Sequence, residues 1–484
     1  MRRGPQLITY PDSLGGDLRA LERVLEGPLG GAFSGLHILP PFPSSGDRGF
    51  APVTYDQLDP AFGTWEDIAR LARRFDVALD LIVNHVSRRS AEFADFERRG
   101  RASPHADLFL TLDKVWPGGE PRPEDVALVH RRRPLPWSTY RVAATGVQER
   151  VWTTFGRDDP SEQIDLDVAS APARRHLAEQ LARFAAHGVR LVRLDAVGYV
   201  VKRPGTTCFM VQPGTDQFLG WARSVAEPLG LELLAEVHAP RPVQRHLAKD
   251  GQRAYDFVLP GLVLHAFLTG STEALGRHLA TSGDHQVTTL DSHDGVPVQP
   301  DLDGVLTTAE LRALVDACLA RGANLSRLFT TAHLPDPAFD AHQVNIAYRS
   351  ALGDDQAHVA ARAIQLFAPG IPQVYYGGLL AAENDLAAVE RTGEGRAVNR
   401  HDFTIDELDA ALGRPVVRRT LRLLRLRREH PAFTGRLRVT QAGSRLKLEW
   451  TRAGATAGLE VDLSTAEATI TTSGAGEARS RGPV

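Results

Sequence analysis

Cysteine is scarce in this chain of 484 residues, which contains only Cys208 and Cys318. Two cysteines are too few for a disulfide framework, and their spacing is not that of a metal site. A disulfide-stapled scaffold and a cysteine-ligated metal centre are therefore excluded. We expect both residues to be reduced thiols.

An excess of one charge and a long apolar run are also missing. Lysine and arginine number 56, aspartate and glutamate 59, and the formal net charge is −3. This balance favours neither nucleic acid nor a membrane surface as a partner. No run approaches the roughly 18 apolar residues that a transmembrane helix needs, and the first residues contain no apolar stretch of signal-peptide length. We expect a soluble, cytoplasmic protein that acts on small molecules as a monomer or homodimer.

Short apolar runs alternate with helical patterns as far as about residue 430. Near-continuous apolar runs are typical of strands covered on both faces, as in a parallel sheet. Helical patterns lie between them: residues 174–188 have one apolar stripe, and Thr64 and Asp67 form a capping box. Eight strands in βα alternation predict an α/β fold, a (β/α)₈ or TIM barrel. The predicted strands are 6–10, 35–40, 77–85, 189–195, 231–237, 255–261, 286–291 and 371–376.

Two segments interrupt this alternation, and both are expected to rise from the C-terminal face of the barrel, where active sites are built. Alternating patterns beyond residue 434 predict a small β-domain, and the last dozen residues are expected to be a disordered tail. The predicted division is a barrel from 1–87, 166–294 and 351–433, an inserted subdomain over 88–165 after strand three, a second excursion over 295–350 after strand seven, and a C-terminal β-domain and tail over 434–484.

Carboxylates stand at the ends of three predicted strands. Arg193 and Asp195 point the same way in VRLVRLDAVG, because side chains alternate along a strand. An arginine at this place would keep Asp195 ionised and oriented, as a nucleophile requires. Glu236 ends the next strand, and Asp294 follows the seventh. Alone, each carboxylate indicates only a structural ion pair. Together they indicate glycosidic-bond chemistry with retention, in which nucleophile and acid stand about 5–5.5 Å apart.

Four motifs make the chain similar to a known family. RLDAVG, LAEVHA, LDSHDG and IVNH occur in the order and spacing of the α-amylase family, glycoside hydrolase family 13. This resemblance implies that Asp195 is the nucleophile, Glu236 the general acid/base and Asp294 the transition-state stabiliser. It also implies four residues that hold the glucosyl ring, namely His85, Arg193, His293 and Arg400.

Longer motifs, among them ILPPFPSSGDRGFAP, ARAIQLFAPGIPQVYYGGLLA and GRAVNRH, resemble the sucrose phosphorylase branch of that family. In this branch, inorganic phosphate rather than water resolves a β-glucosyl-enzyme, and neither a metal nor an organic cofactor takes part. The branch implies further residues of the glucosyl site, namely Asp47, Phe50, Phe155 and Gln163. It implies an acceptor and phosphate site of Arg133, Tyr199, His238, Asp340 and Gln343.

Two departures from that branch concern the leaving sugar. Ala341 and His342 replace a Leu-Tyr pair, and Arg132 replaces a proline before Arg133. This combination resembles the branch that acts on sucrose 6′-phosphate. A guanidinium suits a phosphate because its planar fork bonds two oxygens at once. Our interpretation is that Arg132 and His342 bind the 6-phosphate of the fructosyl group, while the role of Arg131 stays open.

Other functions share parts of this pattern. Phosphorolysis of plain sucrose requires only that the Ala-His loop rearranges and that Arg132 faces water. A glucosylglycerate phosphorylase could also recruit an arginine for its carboxylate acceptor. A hydrolase or transglucosidase would share the carboxylate trio. A non-catalytic member of the family would lack these carboxylates and gain a membrane segment or partner patches, and this chain shows neither change.

Overall fold

A computed structural model describes residues 4–131, 133–155, 163–249, 252–328, 330, 336, 338–474 and 480–484. In chain order, the strands in these residues are β1 (Gln6–Thr9), β2 (Gly35–Ile38), β3 (Asp76–Ile82), β4 (His85–Ser87), β5 (Trp137–Arg141), β6 (Gln148–Trp152), β7 (Gln163–Asp165), β8 (Leu191–Asp195), β9 (Glu232–Ala235), β10 (Arg253–Asp256), β11 (Gln286–Thr288), β12 (Val296–Pro297), β13 (Asn324–Arg327), β14 (Ala341–Asn345), β15 (Ile371–Tyr375), β16 (Arg436–Ala442), β17 (Arg445–Arg452), β18 (Ala455–Asp462), β19 (Glu467–Ser473) and β20 (Ser480–Pro483).

The α-helices of the same residues are α1 (Leu18–Glu26), α2 (Trp65–Ala72), α3 (Ala91–Arg99), α4 (Leu112–Val115), α5 (Pro123–Leu128), α6 (Ala171–Ala186), α7 (Gly214–Ala226), α8 (Arg241–Leu247), α9 (Leu259–Thr269), α10 (Glu273–Thr281), α11 (Thr308–Leu319), α12 (Tyr348–Leu352), α13 (Asp355–Phe367), α14 (Tyr376–Leu379), α15 (Leu386–Thr392), α16 (Ile405–Gly413) and α17 (Pro415–Glu429). The predicted capping box at the start of α2 is present. None of the described helices is long and apolar enough to span a bilayer.

Eight strands close into a barrel in the order β1-β2-β3-β8-β9-β10-β11-β15, with every pair parallel. The predicted (β/α)₈ barrel is confirmed. Apolar side chains fill its interior, and Leu191, Leu234 and Tyr255 belong to that cluster. Because side chains alternate along a strand, Arg193 and Asp195 lie on the same side as Leu191 and stand above this apolar layer.

The sixth strand differs from its prediction. It covers Arg253–Asp256 rather than 255–261, and helix α9 already begins at Leu259. The apolar run continues through α9 because that helix is buried over most of its length. A helix buried on all sides shows no amphipathic period, so its sequence resembles that of a buried strand. Pro260 fits the first turn, where no backbone N–H is needed.

Both predicted insertions are present in the described residues. The first, after β3, contains α3 to α5 and the β5–β6 hairpin, and it returns to the barrel through β7, which pairs antiparallel with β4. The second, after β11, contains α11 and a three-stranded sheet in the order β12-β14-β13. These elements lie at the carboxyl ends of the barrel strands and build walls there. The exact domain boundaries stay a prediction.

The C-terminal β-domain is a five-stranded antiparallel sheet, β16 to β20. Leu446, Leu448 and Trp450 face the barrel helices, and the Trp450 indole donates to the carbonyl of Phe367 at 2.7 Å. The expectation of a disordered tail is wrong for residues 480–483. They form the edge strand β20, which pairs with β19.

Candidate active site

A cavity of about 840 Å³ opens where the barrel strands end. Asp195 ends β8, Glu236 follows β9, and Asp294 follows β11, so parallel strands bring residues distant in sequence to one rim. All three carboxylates line the cavity. The other predicted residues that line it are Asp47, Phe50, His85, Phe155, Gln163, Tyr199, His238, His293, His342, Gln343 and Arg400.

Arg193 lies beneath the cavity floor, 3% exposed, and binds two aspartates at once. Its Nη1 donates to Oδ1 of Asp195 at 2.6 Å and to Oδ1 of Asp80 at 2.5 Å. Asp80 reaches the guanidinium because it is the register partner of Arg193 between β3 and β8. On its other side Asp80 binds Nε2 of His37 at 2.8 Å. The predicted ion pair between Arg193 and Asp195 is therefore present, but Arg193 also binds Asp80.

Because Arg193 is shared between two aspartates, the pKa of Asp195 differs from the expectation. Burial raises the pKa of Asp195 to about 8, and the nearby carboxylates Glu236 and Asp80 add to that rise while Arg193 opposes it. The shared guanidinium does not outweigh burial. The expectation that Arg193 keeps Asp195 ionised is therefore not supported near neutral pH, whereas the predicted contact that orients Asp195 is present.

Glu236 is held at the same floor by three groups. Its Oε2 accepts from the backbone N–H of Ala196 at 3.0 Å, and its Oε1 lies 3.8 Å from Nη2 of Arg193. Ala196 has a φ of 56°, in the left-handed region, and this sharp turn after β8 aims its N–H at Glu236. Oε1 also lies 3.4 Å from Nε2 of His238. The turn that follows Asp195 therefore also positions the N–H group that binds Glu236.

Asp294 is surrounded by permanent cations. Arg396 binds its Oδ1 at 2.6 Å, and Nη2 of Arg400 lies 3.7 Å away. Burial works to raise the pKa of Asp294, but the permanent cations Arg396 and Arg400 oppose it, and that pKa lies well below its usual range. Arg396 also binds Oδ1 of Asp47 at 2.7 Å. Asp294 is therefore ionised at any working pH.

Aromatic and imidazole rings form the wall beside these carboxylates. Phe50 stacks on His293 with the ring centroids 4.8 Å apart and the planes 5° apart. Nε2 of His85 hydrogen-bonds the Phe50 carbonyl at 2.9 Å, and Phe155 covers the other side of His85 at 5.3 Å. Burial lowers the pKa of His85, and it lowers that of His293 to about 3. Both imidazoles are neutral hydrogen-bonding groups.

A further part of the cavity wall is built by β14, the loop after β9 and the segment after β8. Tyr199 contacts Phe155 at 5.0 Å and Phe209 at 4.8 Å between ring centroids. His342 is buried, and its Nδ1 bonds the carbonyl of Gln299 at 2.6 Å. The ring of His342 lies edge-on to that of His238 at 5.3 Å. Two imidazoles therefore face the cavity together on this side.

Comparisons with known proteins agree with this architecture. The α-amylase catalytic domain family matches residues 29–253. A sucrose 6(F)-phosphate phosphorylase of Thermoanaerobacterium thermosaccharolyticum is 50% identical over 96% of this chain and 96% of its own length. The chain belongs to the α-amylase family. A sucrose phosphorylase of Streptococcus mutans is 41% identical over 90% of this chain and 89% of its own.

A solved structure shows how closely this member of the α-amylase family keeps its fold. The crystal structure of sucrose 6F-phosphate phosphorylase from Thermoanaerobacter thermosaccharolyticum superposes with a TM-score of 0.98 at 49% identity, over 100% of this chain and 99% of that chain. The barrel, its two insertions and the C-terminal sheet are therefore shared with that protein over their whole length.

Two predicted acceptor-site residues, Arg133 and Asp340, do not line the cavity of this family member. Arg133 turns into the inserted subdomain, where its Nη1 donates to Oγ1 of Thr153 at 2.6 Å and its Nη2 to the carbonyl of Trp137 at 3.2 Å. Asp340 is paired with Arg327. Arg132 lies outside the described residues. The placement of Arg133 and Asp340 at the acceptor site is thus not supported by their contacts.

Sequence reasoning missed several residues around the cavity. Asp80 carried a signal, since a carboxylate in the middle of an apolar strand requires a cation. Arg396 lies four residues before Arg400 in the same motif, but only the folded chain brings it to Asp47 and Asp294. Arg327 lines the cavity from the end of β13, and Phe209 lines it from a loop whose course no periodicity predicts. Among the described residues, no cluster of histidine, cysteine and carboxylate side chains could hold a metal ion.

Proposed function

We propose that this protein is a retaining phosphorylase that converts sucrose 6′-phosphate and inorganic phosphate into α-glucose 1-phosphate and fructose 6-phosphate. One observation carries the proposal: Asp195, Glu236 and Asp294 converge on a cavity that the buried imidazoles of His238 and His342 also line, next to Glu236. Carboxylates serve glycosidic-bond cleavage, and imidazole donors beside them suit anionic acceptors. The cytoplasm and a monomer or homodimer belong to the same proposal.

In the first half-reaction, Asp195 attacks the anomeric carbon of the glucosyl group. The bond from that carbon to the fructosyl oxygen breaks, and Glu236 gives its proton to the departing oxygen. Only the ionised form of Asp195 can attack, so this half-reaction should slow as the pH falls below about 8. Asp294 would stabilise the positive charge that develops on the sugar ring.

In the second half-reaction, phosphate attacks the same carbon from the opposite face. The ester bond to Asp195 breaks, a bond from carbon to phosphate oxygen forms, and the proton of hydrogen phosphate passes to Glu236. The product is α-glucose 1-phosphate, and two inversions give net retention. Asp47, Arg400, His85 and His293 would hold the glucosyl hydroxyls meanwhile.

His342 would contact the 6-phosphate of the leaving sugar, together with Arg132. The imidazole is buried and fixed by the Gln299 carbonyl, which orients its ring toward the cavity. A hydrogen bond to a charged group contributes about 1.5–3 kcal/mol. Replacing His342 with alanine should therefore lower kcat/KM for sucrose 6′-phosphate by about 10- to 150-fold, and for sucrose much less.

A second candidate is plain sucrose phosphorolysis, favoured by the relative from Streptococcus mutans at 41% identity. One assay separates the two: formation of glucose 1-phosphate from sucrose 6′-phosphate and from sucrose, with and without inorganic phosphate. A strong preference for the phosphorylated donor supports the proposal, and a preference for sucrose supports the second candidate. Glucose release that does not depend on phosphate would instead indicate a hydrolase.

Two substitutions, Arg132→Ala and His342→Ala, test the two proposed contacts with the 6-phosphate. Arg141→Ala, at an exposed position on β5, is their control.

A further inference from the structure

Asp301 is a buried carboxylate that the reaction described above does not use. It lies in the second insertion, shortly after β12, and is 0% exposed. Its Oδ2 hydrogen-bonds Nδ1 of His238 at 3.1 Å, and its Oδ1 accepts from Nε2 of Gln244 at 2.8 Å. Burying a carboxylate is costly unless it has a partner, so its partner defines its role.

His238 is that partner, and it lies against the cavity. Phe257 stacks on its ring with the centroids 4.2 Å apart and the planes 16° apart. Its Nε2 lies 3.4 Å from Oε1 of Glu236 and 3.2 Å from the side-chain amide of Gln343. The imidazole thus connects a carboxylate outside the cavity with the acid/base carboxylate inside it.

The hydrogen-bond partners limit where the protons of His238 lie. An ionised Asp301 is an acceptor only, so Nδ1 of His238 donates to it. In a neutral ring, Nε2 would then be an acceptor and could not donate to Glu236 or to a phosphate oxygen. In the cationic ring, Nε2 donates. The Gln343 amide, whose nitrogen faces this atom at 3.2 Å, would then rotate by 180° to offer its oxygen, a change that leaves the shape of the amide the same.

The surrounding charges favour the cationic ring. Burial acts to lower the pKa of His238, but Asp301, with Glu236 and Asp294 at a greater distance, raises it above its ordinary value. These three carboxylates come from the second insertion, the β9 loop and the β11 loop. The ring of His342, on β14, is the other titratable group beside it.

We propose that Asp301 is a positioning residue that acts through His238. It holds the imidazole so that Nε2 presents a donor proton to the acceptor side of Glu236, where the attacking phosphate must sit. Asp301 itself touches neither substrate nor reacting atoms. The inference uses the proposed function only in naming phosphate as the acceptor.

The direct test is to titrate His238 in the full-length protein and to monitor the titration by NMR of ring-labelled histidine. The signal of His238 is assigned by its absence in His238→Asn. In the parent protein, His238 should be cationic at pH 7, and added inorganic phosphate should shift its signal. In Asp301→Asn its pKa should fall by at least one unit, because an opposite charge within hydrogen-bond distance shifts a pKa by roughly 1–3 units. Asp303→Asn, two residues further along, is the matched control and should leave the titration unchanged.

Kinetics supply the second readout. In Asp301→Asn the KM for phosphate should rise about tenfold or more. As the pH is raised, the rate of phosphorolysis should begin to decline at a lower pH than in the parent. Glucose transfer to water should change less than threefold. Asp301→Glu, which keeps the charge, should recover part of the phosphate affinity. A purely structural role would lower both reactions together.

The outcomes separate this inference from the proposed function. If the parent forms no phosphate-dependent product, the proposed function fails, but the titration of His238 still tests Asp301. If His238 is neutral at pH 7 in the parent, or keeps its titration in Asp301→Asn, the inference is overturned. Should Asp301→Asn not fold, the parent titration alone decides, with and without inorganic phosphate.

Discussion

At the scale of single residues, the proposed mechanism assigns the covalent step to Asp195, and replacing this residue is the most direct test. An asparagine at this position would keep the shape and the bond to Arg193 but could not form the glucosyl ester. We expect Asp195→Asn to lower kcat for glucose 1-phosphate formation by about 10⁴-fold or more, as loss of a nucleophile does in other enzymes. Asp216→Asn, at an exposed aspartate on α7, is the matched control. Turnover by Asp195→Asn at the parent rate would contradict the proposed mechanism.

The raised pKa of Asp195 leads to a pH prediction. Burial raises the pKa of Asp195 to about 8, and only the ionised carboxylate can attack the anomeric carbon. The ionised fraction grows about tenfold per pH unit below that pKa. We therefore expect kcat/KM for sucrose 6′-phosphate to rise about tenfold per unit as the pH approaches 8, and to level off above it.

The donor does not confuse this measurement between pH 7 and 8, because phosphate monoesters are already dianions there, with a second pKa near 6. α-Glucosyl fluoride supplies the control, since fluoride leaves without protonation and its glucosyl transfer still needs ionised Asp195. Its rate should rise with pH in parallel with that of sucrose 6′-phosphate. A flat profile for both donors over this range would contradict the raised pKa of Asp195.

The residues of the site differ in how far sequence could predict them. Asp195, Glu236 and Asp294 were predictable, because carboxyl ends of parallel strands meet at one rim. Asp80 and Arg396 depend on register and loop course, which a periodicity does not contain. Arg133 was predicted at the acceptor site, but its donors find acceptors within the inserted subdomain instead.

At the scale of elements, a buried ion pair ties helix α13 to the end of β11. Arg362 and Asp291 are both buried and lie 2.5 Å apart, and Gly378 on α14 passes over them. A Cβ on Gly378 would stand 1.8 Å from Nη2 of Arg362 and 1.9 Å from Oδ2 of Asp291. Only a glycine leaves room for this pair.

We therefore expect Gly378→Ala to destabilise the protein by about 3–5 kcal/mol, the cost of disrupting a buried ion pair. Gly220 on α7 is the matched control, because nothing lies within 4 Å of its Cβ position. Gly220→Ala should be neutral or stabilising by about 0.5–1 kcal/mol, since alanine favours the helix. Urea unfolding at equilibrium compares the two. Equal midpoints for both variants would show that α14 shifts at little cost.

At the scale of the whole molecule, the fold of the chain end shows what composition could not predict. Residues 480–483 have the composition of a tail, yet they complete the C-terminal sheet as β20, with Ile470 opposite Gly482. The side chain of Arg419, from α17, also donates to the carbonyl of Val484. The β19 partner is near in sequence, with Thr472 opposite Ser480, whereas Arg419 lies 65 residues away. Composition contains neither contact, and it therefore predicted disorder.

The inserted subdomain is joined to the barrel by a buried charge. Nζ of Lys202, from the barrel loop after β8, lies 2.5 Å from Oδ2 of Asp165 on β7 and 2.7 Å from Oδ1 of Asn84. Lys202 and Asp165 are almost fully buried. Asp165 is the register partner of His85 between β4 and β7. The ammonium thus ties the insertion to the strand end that carries a residue of the glucosyl site.

Lys202→Met tests this connection, because methionine keeps much of the side-chain volume but leaves Asp165 buried without its cation. We expect a loss of about 3–5 kcal/mol in the free energy of unfolding, together with a higher KM for the donor as His85 loses its support. Lys114→Met is the matched control. Lys114 pairs with Asp167 at 2.9 Å, two residues further along, where the lysine is 22% exposed, and such a pair contributes at most about 1 kcal/mol. Similar losses for both variants, measured by urea unfolding, would show that the insertion is held by its apolar contacts rather than by this charge.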